Sequence, residues 1–159
     1  MMRKILAIMA VALLFVACDF ARESVKLKPD IEVTFINPVA APVDEGGVAN
    51  IEEIHFVAKN SVDCTVKEML WEYYAKDGTR FFGPLEIALY MKVKGIVDPV
   101  AVDTSILEDM PLPIDTVLIY LINTNTYEAK AKLYFVAYDD YYGTRTDTAE
   151  FQFGLYRNP

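Results

Sequence analysis

From Asp30 onward, apolar residues recur at every second position, the spacing of strands with one buried face. Ile31, Val33 and Phe35 alternate with Glu32 and Thr34 until Asn37-Pro38 ends the run. Val39–Gly47 carries Pro42 and a glycine pair and reads as a loop. Ile54, Phe56 and Ala58 form the next inward series, with Glu53 and His55 on the other face. After a turn at Asn60–Asp63, Met69, Trp71 and Tyr73 point inward and Glu68, Leu70 and Glu72 outward. Lys76-Asp77-Gly78 is a hairpin signal, because glycine accepts positive φ. Leu85, Ile87, Leu89, Met91 and Val93 give the clearest alternation in the chain, and Gly95 ends it. Asp103–Pro113 reads as a longer connection with room for one helical turn around Ser105 to Asp109. Val117–Ile122 is uninterrupted apolar sequence, which predicts a strand covered on both faces. Ala131, Leu133, Phe135 and Ala137 lead into a hairpin loop at Asp139–Gly143, and Ala149, Phe151, Phe153 and Leu155 close the domain.

Seven or eight short strands with at most one helical turn predict an all-β fold, a β-sandwich over residues 30–159. Phe56–Asn60 through Trp71–Gly78 resembles two successive strands of small immunoglobulin-like or fibronectin-III-like domains, the second with an inward Trp and an Asp-Gly hairpin. Lys132–Asp140 through Phe151–Phe153 resembles the closing hairpin of such domains. The antibody-type disulfide is absent, and another Greek-key sandwich or a jelly roll fits the same strands.

The first residues follow a different rule. Arg3 and Lys4 precede an apolar run from Ile5 to Val16, too short for a bilayer that takes about 20 residues to cross. A basic start, a short apolar middle and a small residue at the end make an export signal. Leu14-Phe15-Val16-Ala17-Cys18-Asp19 resembles the lipobox of bacterial lipoproteins, with Phe15 where that family prefers an aliphatic residue. The resemblance implies cleavage after residue 17, a covalent lipid on Cys18, and a tether over 18–29. It also implies a bacterial cell envelope location, anchored in a membrane and facing the periplasm or the exterior. Inner and outer membrane both remain open. Cys64 is then left without a partner for an internal disulfide and reads as a small buried residue.

Composition narrows the function classes. The 159 residues carry a formal charge of −8. Loss of the first 17 removes two of the 15 basic residues and none of the 23 acidic ones, giving −10. Such a balance argues against a nucleic-acid partner, which needs a basic footprint. One histidine and two cysteines exclude a multi-His or multi-Cys zinc site, and no cofactor is expected apart from the lipid. His55 lies between Ile54 and Phe56, and Ser24, Ser61 and Ser105 lack a nucleophile-elbow context, so no catalytic residue is assigned. Asp139, Asp140 and Asp147 flank one hairpin and are the better calcium candidates; Asp44, Glu45, Glu52 and Glu53 surround another loop. Neither has EF-hand spacing, and solvated turn acids are the simpler reading of both.

Tyrosine is the unusual residue: all ten lie beyond Cys18. Strand parity turns Tyr74, Tyr90, Tyr134, Tyr138 and Tyr156 away from the core, and in an immunoglobulin-like order all but Tyr90 share one outer face. Tyrosine joins an apolar body to a polar tip and suits recognition. Cross-strand aromatic pairing would stabilise the same face without any partner. The function expected is a non-enzymatic envelope module that binds or scaffolds another protein. A carbohydrate- or solute-binding lipoprotein using the tyrosine face is the alternative, and an envelope hydrolase the third.

Overall fold

A computed structural model describes residues 27–43, 47–98 and 100–158. The expected export signal, Cys18 and most of the expected tether lie outside the described residues. Among the described residues, eight strands and one helix follow in the order β1 (Ile31–Asn37), β2 (Ala40–Pro42), β3 (Val48–Ala58), β4 (Cys64–Ala75), β5 (Arg80–Val93), β6 (Thr104–Pro113), α1 (Asp115–Thr124), β7 (Glu128–Asp139) and β8 (Thr146–Tyr156). They form two sheets, β1-β3-β6 and β2-β8-β7-β4-β5. All neighbours are antiparallel except β2, which runs parallel to β8. The described residues are thus all-β apart from one short helix, with a sandwich-like pair of sheets.

The core lies between the sheets and is built from the inward series. Ile54, Phe56 and Ala58 of β3 face Met69, Trp71 and Tyr73 of β4 and Leu133, Phe135 and Ala137 of β7, and all are buried. The rings of Phe56 and Phe135 meet edge to face at 4.9 Å, joining one sheet to the other. The Tyr73 hydroxyl, buried at the other end, donates to the carbonyl of Pro113 and so ties β4 to β6. The hairpin after β4 forms as expected, with Gly78 at φ +87°.

The structure corrects four readings. Residues 104–113 are strand β6, paired along β3, where a connection with a helical turn was expected. Its alternation is broken by Asp109, which takes φ +52° between the paired residues Glu108 and Met110. Residues 117–122 are helical: Val117 and Leu121 are buried one turn apart, while Ile119 and Ile122 are more than half exposed. Asp115 sits in the first turn and Asn125 ends the helix in the left-handed region. Tyr120 stacks on Phe81 of β5 at 3.8 Å. Within the expected loop 39–47, Ala40–Pro42 forms β2. Finally, β1 bulges between Val33 and Phe35, so Phe35 turns outward beside His55 while Ile36 takes the buried place.

The connections gather at two ends. The β3–β4, β5–β6 and β7–β8 loops share one end with the start of β1. Helix α1, the β4–β5 hairpin and the C-terminus lie at the other.

Candidate functional site

The outer face of the five-stranded sheet follows from parity. Met69, Trp71 and Tyr73 point inward, so Glu68, Leu70, Glu72 and Tyr74 point outward from β4. Ala131, Leu133, Phe135 and Ala137 do the same for Lys132, Tyr134 and Tyr138 on β7. Register then sets Leu70 beside Tyr134, Glu72 beside Lys132 and Tyr74 beside both Lys130 and Arg80.

Glu72 is the hub. Although it belongs to the solvent face, it is only 8% exposed. Its carboxylate accepts from the Tyr74 hydroxyl, the Arg80 guanidinium and, at 3.4 Å, the Tyr134 hydroxyl. The Tyr74 bond, and after it Arg80 and Tyr134, hold the Glu72 carboxyl below its ordinary range against the opposing effect of burial. The same bond to Glu72 pushes the Tyr74 hydroxyl upward. Tyr138 repeats the arrangement, donating to Glu68 at 2.8 Å, and its hydroxyl is raised by that bond. Lys132 sits 4.9 Å above the Tyr74 ring and Lys67 4.9 Å above the Tyr138 ring.

Of the five outward tyrosines, Tyr74 and Tyr134 therefore meet at one carboxylate, and Tyr138 lies further along the same strand. Tyr90, 78% exposed, stands on edge strand β5. Tyr156 is apart, near the end of β8, where it lines a hollow of about 380 Å³ with Ala40, Lys76, Glu128 and Lys130. Parity located the tyrosines and set Glu68 and Glu72 on the same face, but the role of these carboxylates as acceptors, and Arg80, escaped the sequence reading. Counting back across the Lys76-Asp77-Gly78 turn places Arg80 opposite Tyr74 and was the available signal.

A folded carboxyl with a lowered pKa stabilises the protein above its unfolded pKa, and that contribution disappears as pH falls through the lowered folded value. Glu72→Gln is therefore expected to melt below the wild type at pH 7, with the difference closing below about pH 4, near the unfolded pKa of a glutamate. Thermal melts across pH 3–7 check this.

The calcium candidates Asp139, Asp140 and Asp147 are each engaged by the protein, while Asp44 and Glu45 lie outside the described residues. Asp139 is buried and accepts from the N–H groups of Tyr142, Gly143 and Arg145. Burial raises its carboxyl, but these donors outweigh it and hold the group below the usual range. Asp140 takes the Thr65 hydroxyl and Lys92, and Asp147 takes the Ile31 N–H at 2.9 Å. Among the described residues no group of three or more His, Cys, Asp or Glu is placed to hold a metal ion. His55 packs its ring at 4.7 Å from Phe35, and its Nε2 lies 3.1 Å from Glu53.

Cys64 opens β4 fully buried, and burial together with Asp140, Asp63 and Asp147 pushes its thiol up to about 12. It is expected to resist maleimide at pH 7 in the native protein and to react within minutes in denaturant, a difference read by mass spectrometry.

No protein-family model and no curated protein matches the chain. No helix among the described residues is long and apolar enough to cross a membrane.

Proposed function

We propose that the protein is a lipid-anchored, non-enzymatic module of the bacterial envelope. It binds or scaffolds another protein through the outer face of the β4–β7 pair. The basic, apolar and Ala17-Cys18 series supports the anchor. The strand order supports an immunoglobulin-like type within the sandwich class: β4, β7 and β8 share one sheet, while β1 and β2 divide between the two.

The observation that carries the binding reading is the tethering of Tyr74 and Tyr134 to Glu72 and of Tyr138 to Glu68. Aromatic side chains already held in place lose little freedom when a partner arrives, so more of the contact energy becomes affinity. Cations and carboxylates interleave with them, which suits a mixed protein surface. The lysines over Tyr74 and Tyr138 occupy ring faces that a sugar would need for stacking, so a protein partner is favoured over carbohydrate.

Two measurements test this reading. Mass spectrometry of the membrane fraction should find an N-terminus at Cys18 carrying lipid; an unmodified water-soluble product would refute the anchor. A photo-crosslinking residue in place of Tyr90 should give one discrete protein adduct in intact cells. Tyr134→Ser with Tyr138→Ser should abolish that adduct while the far-ultraviolet spectrum stays native. A folded double variant that still forms it would move the site off this face.

A further inference from the structure

We propose that the loop end of the sandwich rests on the membrane surface, with Val97, Val100 and Tyr141 meeting the lipid. This rests on the reading of Cys18 as the lipid carrier and adds how the domain stands on the bilayer.

The first observation is exposure. Val97 is 98% exposed, Val100 92% and Tyr141 85%, and Leu27, at 65%, lies at the same end. Val100 lies in a tight turn of the β5–β6 loop that runs from Asp98 to Ala101, and Val97 immediately precedes it. The N–H of Ala101 donates to the carbonyl of Asp98 at 3.1 Å, and the N–H of Val100 donates to Asp98 Oδ1 at 2.9 Å. A turn that consumes its own polar groups while leaving two aliphatic side chains in water has the composition of a docking tip.

The second observation is that the loops bearing these residues are fastened together. Gly95 N–H donates to Asp63 Oδ1 at 2.8 Å and Ile96 N–H to the Asn60 carbonyl at 2.7 Å, pinning the β5–β6 loop to the β3–β4 loop. A Cβ on Gly95 would lie 2.4 Å from the Ser61 backbone, so this approach needs glycine. Asn60 Nδ2 in turn donates to the Lys28 carbonyl at 2.7 Å. Leu27, Ser61, Val62 and Tyr141 then line one hollow of about 510 Å³. Tyr141 therefore borders the place where the described chain enters the domain, and the loop carrying Val97 and Val100 is pinned to the β3–β4 loop that borders it too.

The third observation selects the occupant. From Cys18 to Leu27 is nine peptide steps, which span at most about 30 Å. A lipidated Cys18 thus keeps this end within one short tether of the bilayer, at a high effective concentration toward it. No comparable restraint favours a protein at these tips. Asp98 at the turn and the acidic balance of the chain set the lipid preference: a zwitterionic surface, with contact weakening as anionic lipid is added. In this stance the strands rise from the membrane, the tyrosine face looks sideways, and helix α1 is farthest out.

The test uses the mature lipidated protein in phosphatidylcholine vesicles, with the lipid on Cys18 verified by mass. Variants V97C and, at an exposed position of α1, N123C are labelled with a small thiol-reactive fluorophore, which buried Cys64 is expected not to accept. Brominated phosphatidylcholine is expected to quench the label at 97 several-fold more than the label at 123. V100D should bring quenching at 97 down to the level at 123 without changing the circular dichroism spectrum. Equal quenching of the two labels on lipidated protein overturns the proposal. So does shielding of the label at 97 from aqueous iodide only when a protein partner is added, which assigns the tips to a protein interface. If the mass shows no lipid on Cys18, the anchor reading fails separately. Selective quenching at 97 would then still sustain the docking, and its absence would end it.

Discussion

Phe135→Ala is expected to cost about 3–5 kcal/mol of stability, the range for truncating a buried aromatic residue. Phe135 is fully buried on β7, a strand flanked on both sides, and its ring meets Phe56 of the opposite sheet edge to face. Removing it opens a void between two sheets whose backbones are fixed by their ladders, so the site can collapse only in part. For a domain of this size the loss corresponds to a fall in Tm of roughly 10–20 °C. Thermal unfolding followed by the fluorescence of Trp71, the single tryptophan, reads it directly. A variant within about 1 kcal/mol of wild type would mean that the sheets do not depend on this contact.

Trp71→Ala is the companion prediction, again about 3–5 kcal/mol. Trp71 is 6% exposed on the inner face of β4, with Leu85 of β5 and Leu133 of β7 as its register partners. It fills the inner face where edge strand β5 joins the sheet, so its loss should loosen β5 before β7. Far-ultraviolet circular dichroism against temperature measures the stability. Amide hydrogen exchange should show the protection loss concentrated in residues 80–93, the span of β5. Trp71→Phe, which restores much of the volume, should recover more than half of the loss. An alanine variant with a wild-type Tm would mean that β4 faces the other way.

The strands that sequence made legible are those in which pattern and environment agree. In β7 the burial pattern alternates without a break from Ala129 to Asp139, because the strand lies mid-sheet with one face on the core. The segment 104–113 was hidden for two physical reasons. Its backbone turns over at Asp109, which shifts the inward positions from Leu107 to Met110 and Leu112. Its prolines, Pro111 and Pro113, suggest a loop, yet β6 is an edge strand, where missing N–H groups can face away from the ladder. Residues 117–122 were misread because a six-residue apolar run has no period to examine, and only the folded chain reveals that Ile119 and Ile122 face outward. The tyrosine face was legible for the opposite reason, since the direction of a side chain within a strand is a local property. Its hub was not, because bringing Glu72, Arg80 and Tyr134 together depends on the registers of three strands, which local pattern does not encode.

The parallel pairing of β2 with β8 bears on how the chain comes together in time. Ala40–Pro42 finds its ladder partner in Gly154–Tyr156, and the Val43 N–H closes on the Tyr156 carbonyl at 2.7 Å. A chain emerging N-terminus first, from a ribosome or through a membrane pore, cannot seat β2 until β8 has appeared. Until then one long edge of β7 stands open as well, since β8 covers it. Completion of the five-stranded sheet therefore waits for residues 146–156.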